Sequence, residues 1–317
     1  MNDILNIQNL DVRFPINIGT VRAVEDVNWE LRQGEVMGLV GESGCGKSTL
    51  GFSILRLLRP PGIITNGQIL FRGDDIVQMS EEEILKLRGR KIAMIFQDPL
   101  TSLNPLFRID QHFLETMFTH EKSLKKKEAY ERAERMLESL GISPDRLLEY
   151  PHQLSGGMRQ RIMIGLGLIL EPDLLIADEP TTALDVIVEA QFLDLLADLQ
   201  KTFNLTIILI THNLGNVAQL ADRITVMYGG NIVEVAEAQP IFDNPLHPYT
   251  QGLLASIPNI KLEQPKLETM PGSPPDLVNP PSGCVFHPRC PKAMDVCRTQ
   301  KPEITTEDGH LVACWLY

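Results

Sequence analysis

Long apolar runs are missing from this sequence. The longest, Ile162 to Leu170, is broken by two glycines and falls well short of the ~18 residues that a membrane-spanning helix needs. The opening Met1-Asn2-Asp3-Ile4 carries neither a basic stretch nor the apolar core of a secretion signal. The expectation is therefore a protein of the cytosol, where thiols stay reduced. A positive surplus is also missing. Lys and Arg number 29 against 41 Asp and Glu, a net charge of −12, whereas a phosphate-driven nucleic-acid binder carries the opposite sign. No nucleic-acid partner is expected. Internal repeats and low-complexity tracts are absent too. What is there is an ordinary globular composition, 43% hydrophobic and 22% charged over 317 residues, which excludes wholesale disorder. The length allows two compact domains, or one large domain with an appendage.

Alternating apolar and polar residues over 4–14 and 21–31, on either side of Gly19, predict a strand pair. Val36-Met37-Gly38-Leu39-Val40 predicts a buried strand. Leu50, Ile54, Leu57 and Leu58 then recur at helical spacing, with Pro60-Pro61 as the stop. Gln68–Phe71 and Lys91–Phe96 predict further strands. Ser80 followed by Glu83 is a capping box that opens a helix. Residues 100–170 read as largely helical, with Leu124, Ala133, Met136, Leu137 and Leu140 on one face and Gly141 as a stop. Lys125-Lys126-Lys127 is a solvated face. Leu174–Ala177 and Thr206–Ile210 predict parallel strands joined through a helix over about 186–201. Ile224–Met227 and Ile232–Val235 flank Tyr228-Gly229-Gly230-Asn231, a hairpin signal. Residues 258–291 hold 9 of the 22 prolines, and everything beyond 236 reads as a loop-rich appendage without helix or sheet.

Gly41-Glu42-Ser43-Gly44-Cys45-Gly46-Lys47-Ser48-Thr49 fits the Walker A pattern between a predicted strand and helix. Glycines let successive backbone N–H groups turn inward onto phosphate oxygens, and the helix N-terminus adds partial positive charge. Lys47 is placed to reach the β- and γ-phosphates of a nucleotide, and the Ser48 hydroxyl to ligate Mg²⁺. Cys45 fills a variable position as a small side chain. Leu174-Leu175-Ile176-Ala177-Asp178-Glu179 is an apolar strand ending in two acids, at the edge where open α/β sheets bind ligands. Asp178 suits a water-mediated Mg²⁺ partner. Glu179 suits the group that orients or deprotonates an attacking water.

Between these motifs, Leu154-Ser155-Gly156-Gly157-Met158-Arg159-Gln160 resembles the signature of ATP-binding-cassette (ABC) ATPases. Other elements follow in that family's order. Gln97 in Ile95-Phe96-Gln97-Asp98-Pro99 resembles the Q-loop and its Mg²⁺ ligand. Thr182-Ala183-Leu184-Asp185 resembles the D-loop, and His212 in Ile210-Thr211-His212-Asn213 the switch histidine. Phe14 stands where the family stacks an aromatic ring on adenine, although packing in the core is the other reading. The resemblance covers residues 4–235. It implies an α/β P-loop NTPase cassette over 1–235: a RecA-like core, an antiparallel β-subdomain, and a helical subdomain at about 100–170. It also implies a head-to-tail dimer in which Ser155, Gly156 and Gly157 of one subunit close on the ATP held by the other.

Asp243-Asn244-Pro245-Leu246-His247-Pro248-Tyr249-Thr250 resembles the His-Pro-Tyr segment behind the cassette in ATPases of dipeptide and oligopeptide importers. That subfamily implies a homologous second ATPase, two membrane permeases, an extracytoplasmic binding protein, and a peripheral place on the cytoplasmic face of the membrane. The extension 236–317 also carries Cys284, Cys290, Cys297 and Cys314. Four thiolates in a loop-rich segment suit a [4Fe–4S] cluster, which some of these importers carry, or Zn²⁺, or remain free or disulfide-bonded. Three other functions stay open at this point: an importer of nickel or another small solute, a soluble ABC ATPase acting on nucleic acid or ribosomes, and a nucleotide-sensing module. The last two sit poorly with the acidic charge, the single cassette and the intact acids.

Overall fold

The computed structural model describes residues 3–97, 103–182, 185–256 and 270–317. Asp98 and Pro99, and the D-loop pair Ala183-Leu184, lie outside the described residues. The chain divides into two compact units, residues 1–78 with 209–317, and residues 79–208. In chain order the strands are β1 (Asp3–Ile16), β2 (Gly19–Arg32), β3 (Val36–Val40), β4 (Ile63–Phe71), β5 (Asp74–Asp75), β6 (Ile92–Ile95), β7 (Leu174–Asp178), β8 (Thr206–Thr211), β9 (Arg223–Tyr228), β10 (Asn231–Glu237), β11 (Thr305–Glu307) and β12 (His310–Val312). Strand β8 carries the chain from the second unit back into the first.

In the first unit, β1 and β2 form the expected antiparallel pair, closed where Ile16 faces Gly19. Strand β4 adds to the other side of β1 and β5 to β4, giving a four-stranded antiparallel sheet. Strand β3 is buried along its whole length and runs parallel to β9, as a continuous apolar run covered on both faces should. The β9–β10 hairpin turns on Gly229 and Gly230, with φ of 54° and 81°. A type I′ two-residue turn needs positive φ at both positions, which glycine supplies without strain. The helix Lys47–Ile54 is shorter than the apolar spacing suggested. Arg56 sits at φ 50°, so the helix has ended well before Pro60, and Leu57 and Leu58 fall outside it.

The tail is more ordered than its prolines implied. Helices Ala238–Asp243 and Pro248–Ala255 follow β10, and β12 pairs with β10, Glu234 opposite Val312. The reading of this segment as free of helix and sheet is thus corrected. Proline density reports local backbone, but not that a three-residue strand can borrow its partner from far upstream. Ile241, Tyr249 and Phe286 are buried in one cluster with Val40, Val226 and Tyr228, so tail and cassette strands share a core.

In the second unit, β6 runs parallel to β7. Ser80 caps the helix Glu81–Leu87, with Glu83 closing the box. Helices Ile109–His120, Lys126–Ser139 and Gly156–Leu168 supply the expected helical region. Lys126–Ser139 buries Ala129, Ala133, Met136 and Leu137, the 3-and-4 spacing of an amphipathic face. Leu124 precedes that helix, and Lys125–Lys127 are exposed.

Candidate functional site

In the first unit, β3 feeds a loop whose glycines are required one by one. Gly41, Gly44 and Gly46 have φ of 152°, 79° and 108°. A Cβ on Gly41 would stand 2.1 Å from the Met227 carbonyl oxygen, and one on Gly46 2.2 Å from that of Ala23. Both contacts are with backbone, which cannot swing away. The loop ends on Gly46, the N-cap of the helix Lys47–Ile54, so Lys47, Ser48 and Thr49 open that helix, where backbone N–H groups have no intrahelical partner. Lys47 is buried, and its Nζ donates to the carbonyls of Gly41 (2.8 Å) and Glu42 (3.0 Å). Its ammonium is thereby held against the loop's own backbone. Cys45 is buried with its thiol pKa pushed up by desolvation, in keeping with a space-filling role. Ser43 and Gly44 sit at the exposed turn of the loop. Phe14 lies on β1 opposite Val21, half-buried, its ring against Gly62. His212 follows β8, just before Asn213, the N-cap of the helix Leu214–Leu220.

In the second unit, β7 is buried throughout and delivers Asp178 at its end, 3% exposed. Glu179 follows in the left-handed region, φ 44°. For a non-glycine residue that conformation costs energy and persists where the surroundings enforce it. It aims the carboxylate at Gln97, whose Nε2 donates to Glu179 Oε2 at 2.8 Å, and at Thr182, whose hydroxyl donates to the same oxygen at 3.2 Å. Gln97 and the strand-end Glu179, 82 positions apart in sequence, are therefore neighbours. Ser155 is the N-cap of the helix Gly156–Leu168, its hydroxyl accepting from the Met158 N–H at 3.3 Å. A Cβ on Gly157 would meet Val188 at 3.2 Å, while Gly156 faces open space. Asp185 caps the helix Val186–Phe203, its Oδ1 accepting from the N–H groups of Ile187 and Val188. Asp185 thus has a structural task as the cap of this helix.

The four cysteines are free. Burial pushes the Cys284 thiol up to about 11 and raises Cys290 and Cys314 as well; each of the three also senses other cysteines of the set electrostatically. Among the described residues, however, no three His, Cys, Asp or Glu are grouped so as to hold one metal ion. Among the described residues the placement thus offers no preformed metal site, and neither the [4Fe–4S] expectation nor the Zn²⁺ alternative finds support in it.

Sequence reasoning missed a contact between the tail and the phosphate loop. Arg289 grips the Glu42 carboxylate with both terminal nitrogens, at 2.7 and 2.9 Å. The Tyr249 hydroxyl accepts the Glu42 backbone N–H at 2.8 Å. Tyr249 lay in the His-Pro-Tyr segment already singled out; nothing in the sequence marked Arg289.

Comparison with known proteins accounts for both halves of this layout. The ABC transporter family model matches residues 24–182, and the model of the oligopeptide/dipeptide transporter C-terminal region matches residues 233–297. The dipeptide transport ATP-binding protein DppD of Bacillus subtilis is 48% identical over 100% of this chain and 95% of its own length. The oligopeptide transport ATP-binding protein OppD of Salmonella typhimurium is 46% identical over 99% and 94%. A dimeric ATP-binding cassette in a post-hydrolysis state with ADP and Pi superimposes with TM-score 0.66 at 26% identity, over 74% of this chain and 98% of that one. The cbiO1 protein of Clostridium perfringens gives 0.67 at 29%, over 77% and 92%. Relatedness of that extent, from the phosphate loop through the carboxylate strand to the tail, makes this chain a member of the ABC transporter ATP-binding family, with that family's P-loop ATPase fold and the tail region of its oligopeptide/dipeptide branch.

Proposed function

We propose that the chain is the ATP-hydrolysing subunit of an importer of dipeptides and oligopeptides, working on the cytoplasmic face of the membrane. The observation that carries this reading is full-length relatedness, tail included, to ATP-binding proteins of dipeptide and oligopeptide transport. No helix among the described residues is long and apolar enough to cross a membrane, so the transported peptide needs a path made by other chains. Two permease subunits and a second, homologous ATPase are the partners this implies, with an extracytoplasmic binding protein delivering the peptide.

In this reading Lys47 and the amides of residues 41–49 bind the β- and γ-phosphates, and Phe14 stacks on the adenine. Ser48, Gln97 and Asp178 offer oxygen donors of the hard kind that Mg²⁺ prefers, and a bound Mg²⁺ would neutralise charge on the β- and γ-oxygens. Glu179 takes up or orients the proton of the attacking water. Gln97 and Thr182 hold the carboxylate in place for it, at no cost in reorganisation when the reaction begins. His212 contacts the γ-phosphate, and Ser155, Gly156 and Gly157 of a second cassette complete the cradle with a helix N-terminus. Asp185 holds the D-loop at the dimer seam. Binding closes the pair, hydrolysis opens it, and the Gln97 segment passes the change to the permease.

We assign the four cysteines to a [4Fe–4S] cluster. What supports this is the donor set, four thiolates on one loop-rich extension, the soft ligands that iron–sulfur clusters take. The raised pKa values of Cys284, Cys290 and Cys314 mean that protons must leave as metal binds.

Reconstitution with its permeases in liposomes tests the transport reading. Peptide-dependent ATPase activity and uptake are expected; ATPase activity that ignores peptide and binding protein refutes it. Protein purified without oxygen should be brown and carry iron, and colourless, iron-free protein would remove the cluster.

A further inference from the structure

Glu42 places a carboxylate on a loop built to attract phosphate, which is the wrong sign for that task. Its charge is met by the tail. The Arg289 guanidinium forms a two-pronged ion pair with it and is itself buried, 8% exposed. Each of the three guanidinium nitrogens is engaged. Nε donates to the Pro271 carbonyl at 2.9 Å, one terminal nitrogen also reaches the Tyr228 hydroxyl at 3.3 Å, and the group lies over the Tyr228 ring. Tyr228, Tyr249 and Phe286 pack against one another with ring centroids 4.5 to 5.5 Å apart, which fixes the wall on which Arg289 rests. The same residue is tied at its backbone. The Glu42 N–H donates to Tyr249, and the Glu42 carbonyl accepts from Lys47 Nζ and from the Cys45 N–H. Residue 42 therefore links the tail on one side to the phosphate-binding lysine on the other.

We propose that Arg289 is a positioning residue of the nucleotide site: it acts through Glu42, cancelling that residue's charge on the loop that presents Lys47. The extension is then a working part of the ATP site and not only a module behind it. The proposal rests on the ATPase reading above. A partly buried carboxylate released from its partner repels a triphosphate more than a monophosphate, and the repulsion is screened by salt where solvent enters.

The test is a titration of the full-length chain with fluorescent analogues of ATP and AMP, in Mg²⁺, at low and high salt. Arg289→Met should weaken ATP binding about tenfold, with a smaller loss for AMP and partial recovery in salt. Adding Glu42→Gln to it should return affinity to within about threefold of the wild type. A pure loss of fold would not be repaired by deleting a second charge. ATP affinity in Arg289→Met equal to wild type overturns the proposal, as does a double variant no better than the single one. Should Arg289→Met fail to fold, Glu42→Gln alone decides. It removes a repelling charge and should hold or strengthen ATP binding, and a tenfold loss overturns the proposal. Wild-type protein that does not bind ATP would sink the ATPase reading and this inference together, whereas binding without an Arg289 effect would sink only the inference.

Discussion

At the scale of single residues, Glu179 combines a costly backbone angle with two donors on one oxygen. Both features make sense if the carboxylate must face a water from one fixed direction. Glu179→Gln keeps the shape and the hydrogen bonds to Gln97 and Thr182 in amide form but cannot accept a proton. Hydrolysis should fall by about 10²-fold or more while ATP binding survives, and a single-turnover assay beside a binding titration would separate the two. Gly46→Ala should act differently. Its Cβ meets the Ala23 carbonyl at 2.2 Å at a φ of 108°, so nucleotide binding should be lost and the melting temperature lowered, with a cost of at least about 1 kcal/mol. Lys47, Glu179 and Gly46 were legible because short spacings fix their chemistry. Arg289 was not, since the carboxylate that gives it meaning lies 247 positions upstream and no local pattern encodes such a distance.

Among elements, the helix Pro248–Ala255 shows what a cap does here. His247 Nδ1 accepts the Tyr249 N–H at 3.0 Å, and burial drives the ring's pKa down to about 3 from 6.5. The folded state thus keeps the imidazole neutral, while the unfolded chain protonates near its ordinary value. This contribution is complete above about pH 6.5 and drains away as pH falls towards 3, with a slope of up to about 1.4 kcal/mol per pH unit. Urea denaturation across that range should show the slope, and His247→Asn, which keeps an accepting cap but does not titrate, should flatten it. Ser80→Ala, at the capping box of Glu81–Leu87, should cost about 1 kcal/mol in the same measurement without touching ATP binding. The strands and most helices could be read from periodicity, as in the wholly buried β3 and β8. The early end of Lys47–Ile54 could not, because Arg56 turns left-handed with no glycine or proline to announce it.

For the whole molecule, the acids and the phosphate loop belong to one chain, whereas Ser155 and Gly157 are proposed to act on ATP held by another. Isolated at low concentration, the protein should turn over slowly, and its specific activity should climb with concentration or on adding its partner. Full-rate hydrolysis by a dilute monomer would contradict this. The tail was the least legible part, since its order comes from long-range packing of Tyr249, Phe286 and Val312 that its prolines conceal. The β10–β12 pairing has a bearing on how the molecule is made. As the ribosome works from the N-terminus, β10 emerges long before β12, and until then its edge stands open for any sticky neighbour. A stop codon shortly before residue 310 would leave that edge bare in the finished product, which should therefore aggregate rather than persist as a folded, truncated protein.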